Sequence, residues 1–234
     1  MEKASYARFR LAKKPMLDST LSQITAISVD PNRALIISDA DEVLLTFMSQ
    51  FENFLTTKGY YFDWSSFRLT GNVHRTDDNY TLSQDEVFNL LKNFFDQETR
   101  NLNEVPGASA ALERLSLRAQ IVILSNVGEE YYEARKQCLE GHGMHYPLVA
   151  NRGEKGPAVQ KLAKEVKAPV FFLDDSPSNI QSVFEHADFV RCIHFVHDPR
   201  LSKLVEKAPN SCYRLDDWKT AEIAIGTELT ELGY

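Results

Sequence analysis

Asp39 and Asp41 stand two residues apart, directly after the apolar run Ala34–Ser38 (ALIIS). Residues two apart at a strand end project to the same side, so these two carboxylates can share one site. Three further clusters carry chemistry. Ser125-Asn126 follows the apolar run QIVIL, and Lys155 stands in Gly-Glu-Lys-Gly just before a helical pattern. Asp174-Asp175 follows VFFL and is itself followed by Ser176 and Asn179. Each cluster alone reads as a turn, a cap or a solvated lysine. Their joint occurrence, three of them directly after apolar strands, is the specific signal.

The residue types suit phosphoryl transfer. Several carboxylates in one crevice repel one another unless a cation joins them, and an all-oxygen ligand set suits magnesium. Lys155 and Ser125 can hold the remaining phosphate oxygens. An aspartate can attack phosphorus to form an aspartyl-phosphate, and a second carboxylic acid can protonate the leaving oxygen and then activate water.

The elements that must position these groups alternate. Strands are expected over 34–38, 120–124, 147–150, 170–173 and 189–196, and helices over 106–115, 129–140, 157–166, 177–186 and from about Asp217 onward. Apolar strands alternating with helices give an α/β fold, a Rossmann-like parallel sheet with helices on both faces. In such a sheet the carboxyl ends of the strands line the ligand crevice, where the strand-end clusters converge. Between 46 and 104 the rhythm stops. A helix is expected over 43–58 and another over 83–95, the second begun by a Ser83/Glu86 capping box, with an irregular polar and aromatic stretch over 60–79. We read 46–104 as a small, mainly helical insertion, and 1–45 with 105–234 as the core. Tyr60, Tyr61, Phe62 and Trp64 read as the insertion's own small core.

These residues resemble the motifs of the haloacid dehalogenase superfamily. They are Asp39-x-Asp41-x-Val43 after a strand, Ser125 at the end of a second, Lys155 before a helix and Asp174-Asp175 after a third. The resemblance spans 34–179. It implies Asp39 as nucleophile and Asp41 as general acid and base. It implies Mg2+ held by the Asp39 carboxylate, the Asp41 main-chain carbonyl and Asp175, with Asp174 assisting, and phosphate held by Ser125, Asn126 and Lys155. The insertion resembles the cap that many members fold over the site. Asp41 favours phosphate chemistry, because members that cleave carbon–halogen bonds lack that second aspartate. Glu42 departs from the glycine many members carry there.

The expected activity is magnesium-dependent hydrolysis of a small phosphorylated metabolite through an aspartyl-phosphate. A phosphotransferase or mutase on the same core, and a catalytically idle phospho-ligand or protein binder, are the alternatives. Two-component receiver domains share the residue types in a different order. Arg68, His74 and Arg75, in the insertion, are candidates for contacting the far end of the substrate. His194 and His197 read as structural.

The chain has 234 residues, is 43% hydrophobic and carries a formal charge of −7, which argues against a nucleic-acid partner. No apolar run reaches the roughly 18 residues a membrane span needs. Basic residues cluster over 1–14, with no apolar run after them, and read as a solvated segment rather than a secretory signal. Cys138, Cys192 and Cys212 lack zinc-type spacing and read as reduced thiols of a cytoplasmic protein.

Overall fold

The computed structural model describes residues 16–234; the basic cluster at 1–14 lies outside the described residues. Six strands form one parallel sheet: β1 (Ala34–Ser38), β4 (Ala119–Ser125), β5 (Leu148–Ala150), β6 (Val170–Asp174), β7 (Arg191–Phe195) and β8 (Tyr213–Leu215). Their order is β5-β4-β1-β6-β7-β8. The chain builds outward from β1 to β4 and β5, then returns to the other side of β1 for β6. That reversal puts a crevice at the carboxyl end of β1, the usual ligand position in open α/β sheets.

Alternation along the strands sorts the core into two layers. Ile36, Ile121, Ile123 and Phe171 face one side, where they pack with α2 (Met48–Thr57), α3 (Gln84–Glu98), α4 (Ala108–Ser116), α5 (Tyr132–Gly141) and α9 (Trp218–Glu231). Leu35, Ile37, Val122, Leu124 and Phe172 face the other, with α1 (Asp18–Ala26), α6 (Gly156–Ala163) and α7 (Pro177–His186). Covering both faces explains why these strands are apolar throughout rather than alternating. The strands 34–38, 120–124 and 170–173 are parallel neighbours as expected: Ser38 pairs with Ile123 on one side and Leu173 on the other.

Three expectations need correction. The helix expected over 43–58 begins only at Met48. The amides of Leu44 and Leu45 both donate to the Ala40 carbonyl, and Glu42 donates to Leu45, so 40–45 closes a tight loop instead. Its apolar residues are spaced like a helix because the loop is buried, not because it winds. The stretch 60–79 is not irregular: β2 (Tyr60–Phe62) pairs antiparallel with β3 (Val73–Arg75). Three-residue strands are too short to show a period of two. Finally, α1, a short helix α8 (Pro199–Leu204) and the edge strand β8 were not anticipated.

The two ends of the 46–104 segment lie side by side. Thr46 donates to Asn103 and Val105 donates to Leu44, with Leu45 bridged to Glu104 and to Asp41. The capping box on α3 is present as expected, with both reciprocal bonds made.

Candidate active site

Asp39 extends β1 by one residue, its amide donating to Leu173 at 2.9 Å. Its side chain is buried, and Oδ1 accepts from the Ala40 amide at 2.6 Å. Lys155 Nζ lies 2.6 Å from the same oxygen and 2.7 Å from Asp174 Oδ2. Asp174 Oδ1 accepts from the Ser176 amide and Asn179 Nδ2, both at 2.9 Å. Both Asp174 oxygens are therefore occupied, whereas the Asp175 carboxylate accepts no hydrogen bond from the described residues. Asp39, Asp174 and Asp175 each offer a ligand oxygen, all within 4.8 Å of one another.

Lys155 reaches this depth because α6 and α7 pack tightly. A Cβ on Gly156 would lie 2.2 Å from the Ser182 carbonyl, so only glycine lets the helix start so close. The Gly156 amide also donates to Ser182 Oγ at 3.1 Å. Upstream, Asn151 ties the lysine loop to β4: its amide donates to the Ser125 carbonyl at 2.8 Å, and its side chain donates to Asn126 Oδ1 at 2.8 Å. Asn126 Nδ2 in turn donates to Gly153 at 2.9 Å. The Asn126 side chain thus braces two loops rather than standing free for a ligand.

The electrostatics are unbalanced. Burial pushes Asp39 up to about 7 against the pull of Lys155, with Asp174 and Asp41 adding to the rise. Burial also raises Asp175 well above the carboxylate range, with Asp174, Asp39 and Glu42 contributing. Burial depresses Lys155, but Asp174 and Asp39 outweigh it and leave the ammonium more basic than usual. One ammonium cannot neutralise three adjacent carboxylates, and a hard divalent cation would supply the missing charge. The Ser125 hydroxyl, at the end of the strand next to β1, is fully buried and has no partner among the described residues. An orphaned hydroxyl at the same end of the sheet as Asp39 suits an anion such as phosphate. The donor set therefore fits both magnesium and phosphate.

Asp41 is held by a residue that sequence reading missed. Arg135, fully buried on α5, donates from Nη1 to Asp41 Oδ1 at 2.7 Å and from Nη2 to Oδ2 at 3.0 Å. A single arginine on a polar helix carries no signal of burial. His194 was read as structural, and its role is to hold the acidic loop. The ring, beside Asp174 in the β6–β7 register, donates through Nε2 to the Asp175 carbonyl at 2.9 Å. Its Nδ1 accepts from the Ala208 amide at 3.1 Å, which fixes the tautomer. Burial moves its pKa down.

Glu42 adopts φ 61°, the left-handed region that explains why glycine is common at this place in the motif. Its Oε1 accepts from the Met48 amide at 2.6 Å, while Oε2 is buried without a partner. Burial raises it to about 7; the Met48 bond opposes this, and Asp198 and Asp41 reinforce it.

The insertion candidates divide. Arg68 is exposed. His74 stacks on Tyr61, ring centroids 5.2 Å apart, and bonds Thr81 Oγ1 at 3.1 Å. Arg75 pairs with Asp78 at 3.3 Å and lies over Tyr80. Both are thus engaged within the hairpin region. Phe62 and Trp64 do pack together, at 4.9 Å, but Tyr61 is exposed. The cation joining insertion to core is Arg200 of α8, another residue sequence reading missed. It binds Glu52 at 2.6 Å and Asp198 at 2.8 Å, and its guanidinium lies 3.8 Å from the Trp64 ring centre.

No protein-family model and no curated protein sequence matches the chain. Solved structures do. A haloacid dehalogenase-like protein of unknown function from Agrobacterium tumefaciens matches with TM-score 0.55 and 18% identity, over 84% of this chain and 99% of its own. A HAD family hydrolase from Deinococcus radiodurans, with bound phosphate and sodium, matches with TM-score 0.56 and 15% identity, over 87% and 99%. A haloacid dehalogenase-like hydrolase from Streptococcus pneumoniae matches with TM-score 0.56 and 11% identity, over 82% and 98%. The chain shares the fold of these haloacid dehalogenase-like structures, an α/β Rossmann-like parallel sheet. Among the described residues no helix is long and apolar enough to cross a membrane.

Proposed function

We propose that the chain is a magnesium-dependent phosphatase that hydrolyses a small phosphorylated metabolite through an aspartyl-phosphate on Asp39. The observation that carries this reading is the Asp39–Lys155–Asp174 arrangement, with the buried Ser125 hydroxyl at the end of the adjacent strand β4. Asp39 Oδ1 is engaged by Lys155 and the Ala40 amide, which leaves Oδ2 to attack phosphorus. As that bond forms and the phosphorus–oxygen bond to the alcohol breaks, Asp41 gives its proton to the departing oxygen. Asp41 then takes a proton from water, whose oxygen bonds phosphorus as the Asp39 linkage breaks. Lys155 and Ser125 hold the non-bridging oxygens.

Asp39, Asp175 and the Asp41 carbonyl would hold magnesium, with Asp174 contributing mainly by fixing Lys155. When bound, the ion supplies positive charge that offsets the phosphate and keeps Asp39 ionised.

In this reading the 46–104 insertion is a cap that closes over the crevice, hinging at the paired crossings and limiting substrates to small molecules. Arg68 is the candidate for touching the substrate's far end; His74 and Arg75 would first have to leave their hairpin partners. The three free cysteines lead us to infer a cytoplasmic setting.

Hydrolysis of 4-nitrophenyl phosphate with magnesium, and its loss on exhaustive chelation, is the expected result. Transfer to an added alcohol instead of water would identify a phosphotransferase. Binding without turnover would identify an idle member. In Asp41→Asn the first half-reaction should still proceed with this leaving group, and a phosphoryl group should be trapped on Asp39. Full activity in both Asp39→Asn and Asp41→Asn would refute the assignment.

A further inference from the structure

Arg135 is the largest unexplained charge near the site. Burying a guanidinium is costly unless a close partner compensates it, and Asp41 is its only ion-pair partner among the described residues. Among the described residues the Nε hydrogen has no acceptor, and the fork to Asp41 is the arginine's whole polar engagement. Arginine's planar fork matches a carboxylate in two parallel bonds, which fixes the plane of the carboxylate as well as its place.

The two partners differ in exposure. The arginine side chain is 0% exposed and that of Asp41 is 23% exposed. The fork therefore approaches Asp41 from the protein side. A carboxylate offers about four lone-pair positions, of which the fork occupies two. Those that remain are unclaimed by the arginine, on a side chain that solvent partly reaches. Neighbouring bonds fix the arginine's own helix: one turn further along α5, Cys138 Sγ donates to the Leu102 carbonyl at 3.3 Å, and just past the helix end His142 Nε2 meets the same oxygen at 2.8 Å. The Asp41 backbone is bridged to Leu45, which is bridged to Glu104. Asp41 thus sits between a fully buried arginine and the bridged residues at the two ends of the 46–104 segment.

We propose that Arg135 is a positioning residue for Asp41, turning its remaining lone pairs toward the leaving oxygen of the substrate. This rests on the phosphatase reading above. The proton moves from the Asp41 carboxyl to the departing alcohol oxygen as the phosphorus–oxygen bond breaks. Arg135 donates no proton and touches no reacting atom. Its effect falls on leaving groups that need a proton, such as alkyl alcohols, and spares 4-nitrophenolate, which departs without one.

The test compares kcat/KM for n-butyl phosphate and 4-nitrophenyl phosphate, because kcat/KM reports only the steps through release of the alcohol. Protonation by a positioned acid is worth about 10²–10⁴-fold, so Arg135→Met should lower the alkyl value by about tenfold or more beyond any loss in the aryl value. Arg135→Lys keeps the charge but not the fork, and should show the same selective loss to a smaller degree. If Arg135→Met fails to fold, the lysine variant decides. Equal losses for both substrates, or no loss, would show that Arg135 serves stability alone and overturn the proposal. If the unaltered protein hydrolyses neither substrate, the phosphatase reading itself fails and this inference goes with it.

Discussion

Lys155 Nζ holds Asp39 by Oδ1 at 2.6 Å, so the proposed nucleophile and the proposed phosphate-binding lysine are already in contact. This contact leaves a buried ammonium between two carboxylates that depend on it. Lys155→Met should therefore cost stability as well as activity. Removing one partner of a buried pair costs about 3–5 kcal/mol. We expect a lowered urea midpoint and the loss of phosphatase turnover, with Asp39→Asn inactive as well. A Lys155→Met protein as stable as the original would show that the three-carboxylate cluster does not need this charge.

Magnesium should be detectable without an activity assay. A ligand that binds only the folded state raises the melting temperature increasingly as its concentration exceeds its Kd. We expect such a rise with magnesium and its loss in Asp175→Asn, because no hydrogen-bond donor among the described residues occupies the Asp175 carboxylate. Calcium should bind but support turnover poorly, its looser coordination misplacing the phosphate. An equal rise in the Asp175→Asn protein would move the metal elsewhere.

Glu42 yields a pH prediction. Its pKa rises from 4.5 to about 7 in the folded chain, chiefly through burial. The neutral form is the one the fold tolerates. Its stabilising contribution is complete below 4.5, declines as pH rises through the window, and is lost above about 7. Glu42→Gln mimics the neutral form. The stability of that variant relative to the unaltered protein should rise between pH 5 and pH 8, measured by thermal unfolding without divalent cations. A difference independent of pH would mean that Glu42 is not the titrating group.

Arg200 should control how firmly the insertion sits on the core. Arg200→Ala removes the ion pair to Glu52 and the stacking on Trp64. We expect faster hydrogen exchange in α2 and β2, with little change in β1, β4 or β6. Uniformly faster exchange would mean that the contact stabilises the whole fold and is not local to the insertion.

The buried strands were legible because two-sided burial writes itself as unbroken apolar runs, as in ALIIS, QIVIL and VFFL. The motif residues were legible for a related reason: a strand end that turns abruptly acidic interrupts such a run at a fixed place. The loop at 40–45 was not, because Leu44, Phe47 and Met48 have the same spacing whether they line a helix or pack a buried turn. Only the backbone bonds to Ala40 distinguish the two. The hairpin of β2 and β3 was hidden because three residues are too few to show alternation.

By itself the sequence determined the order of the first five core strands and of the helices between them, the four polar clusters at their ends and the departure at Glu42. Those are local facts, set by burial period and residue type along the chain. Only the tertiary structure decided that Arg135 answers Asp41 across 94 positions, that His194 holds the Asp175 carbonyl, and that Arg200 meets Glu52 across 148. The physical reason is that a buried charge is compensated by whatever the fold brings beside it, and nothing in the neighbouring sequence records which residue that will be.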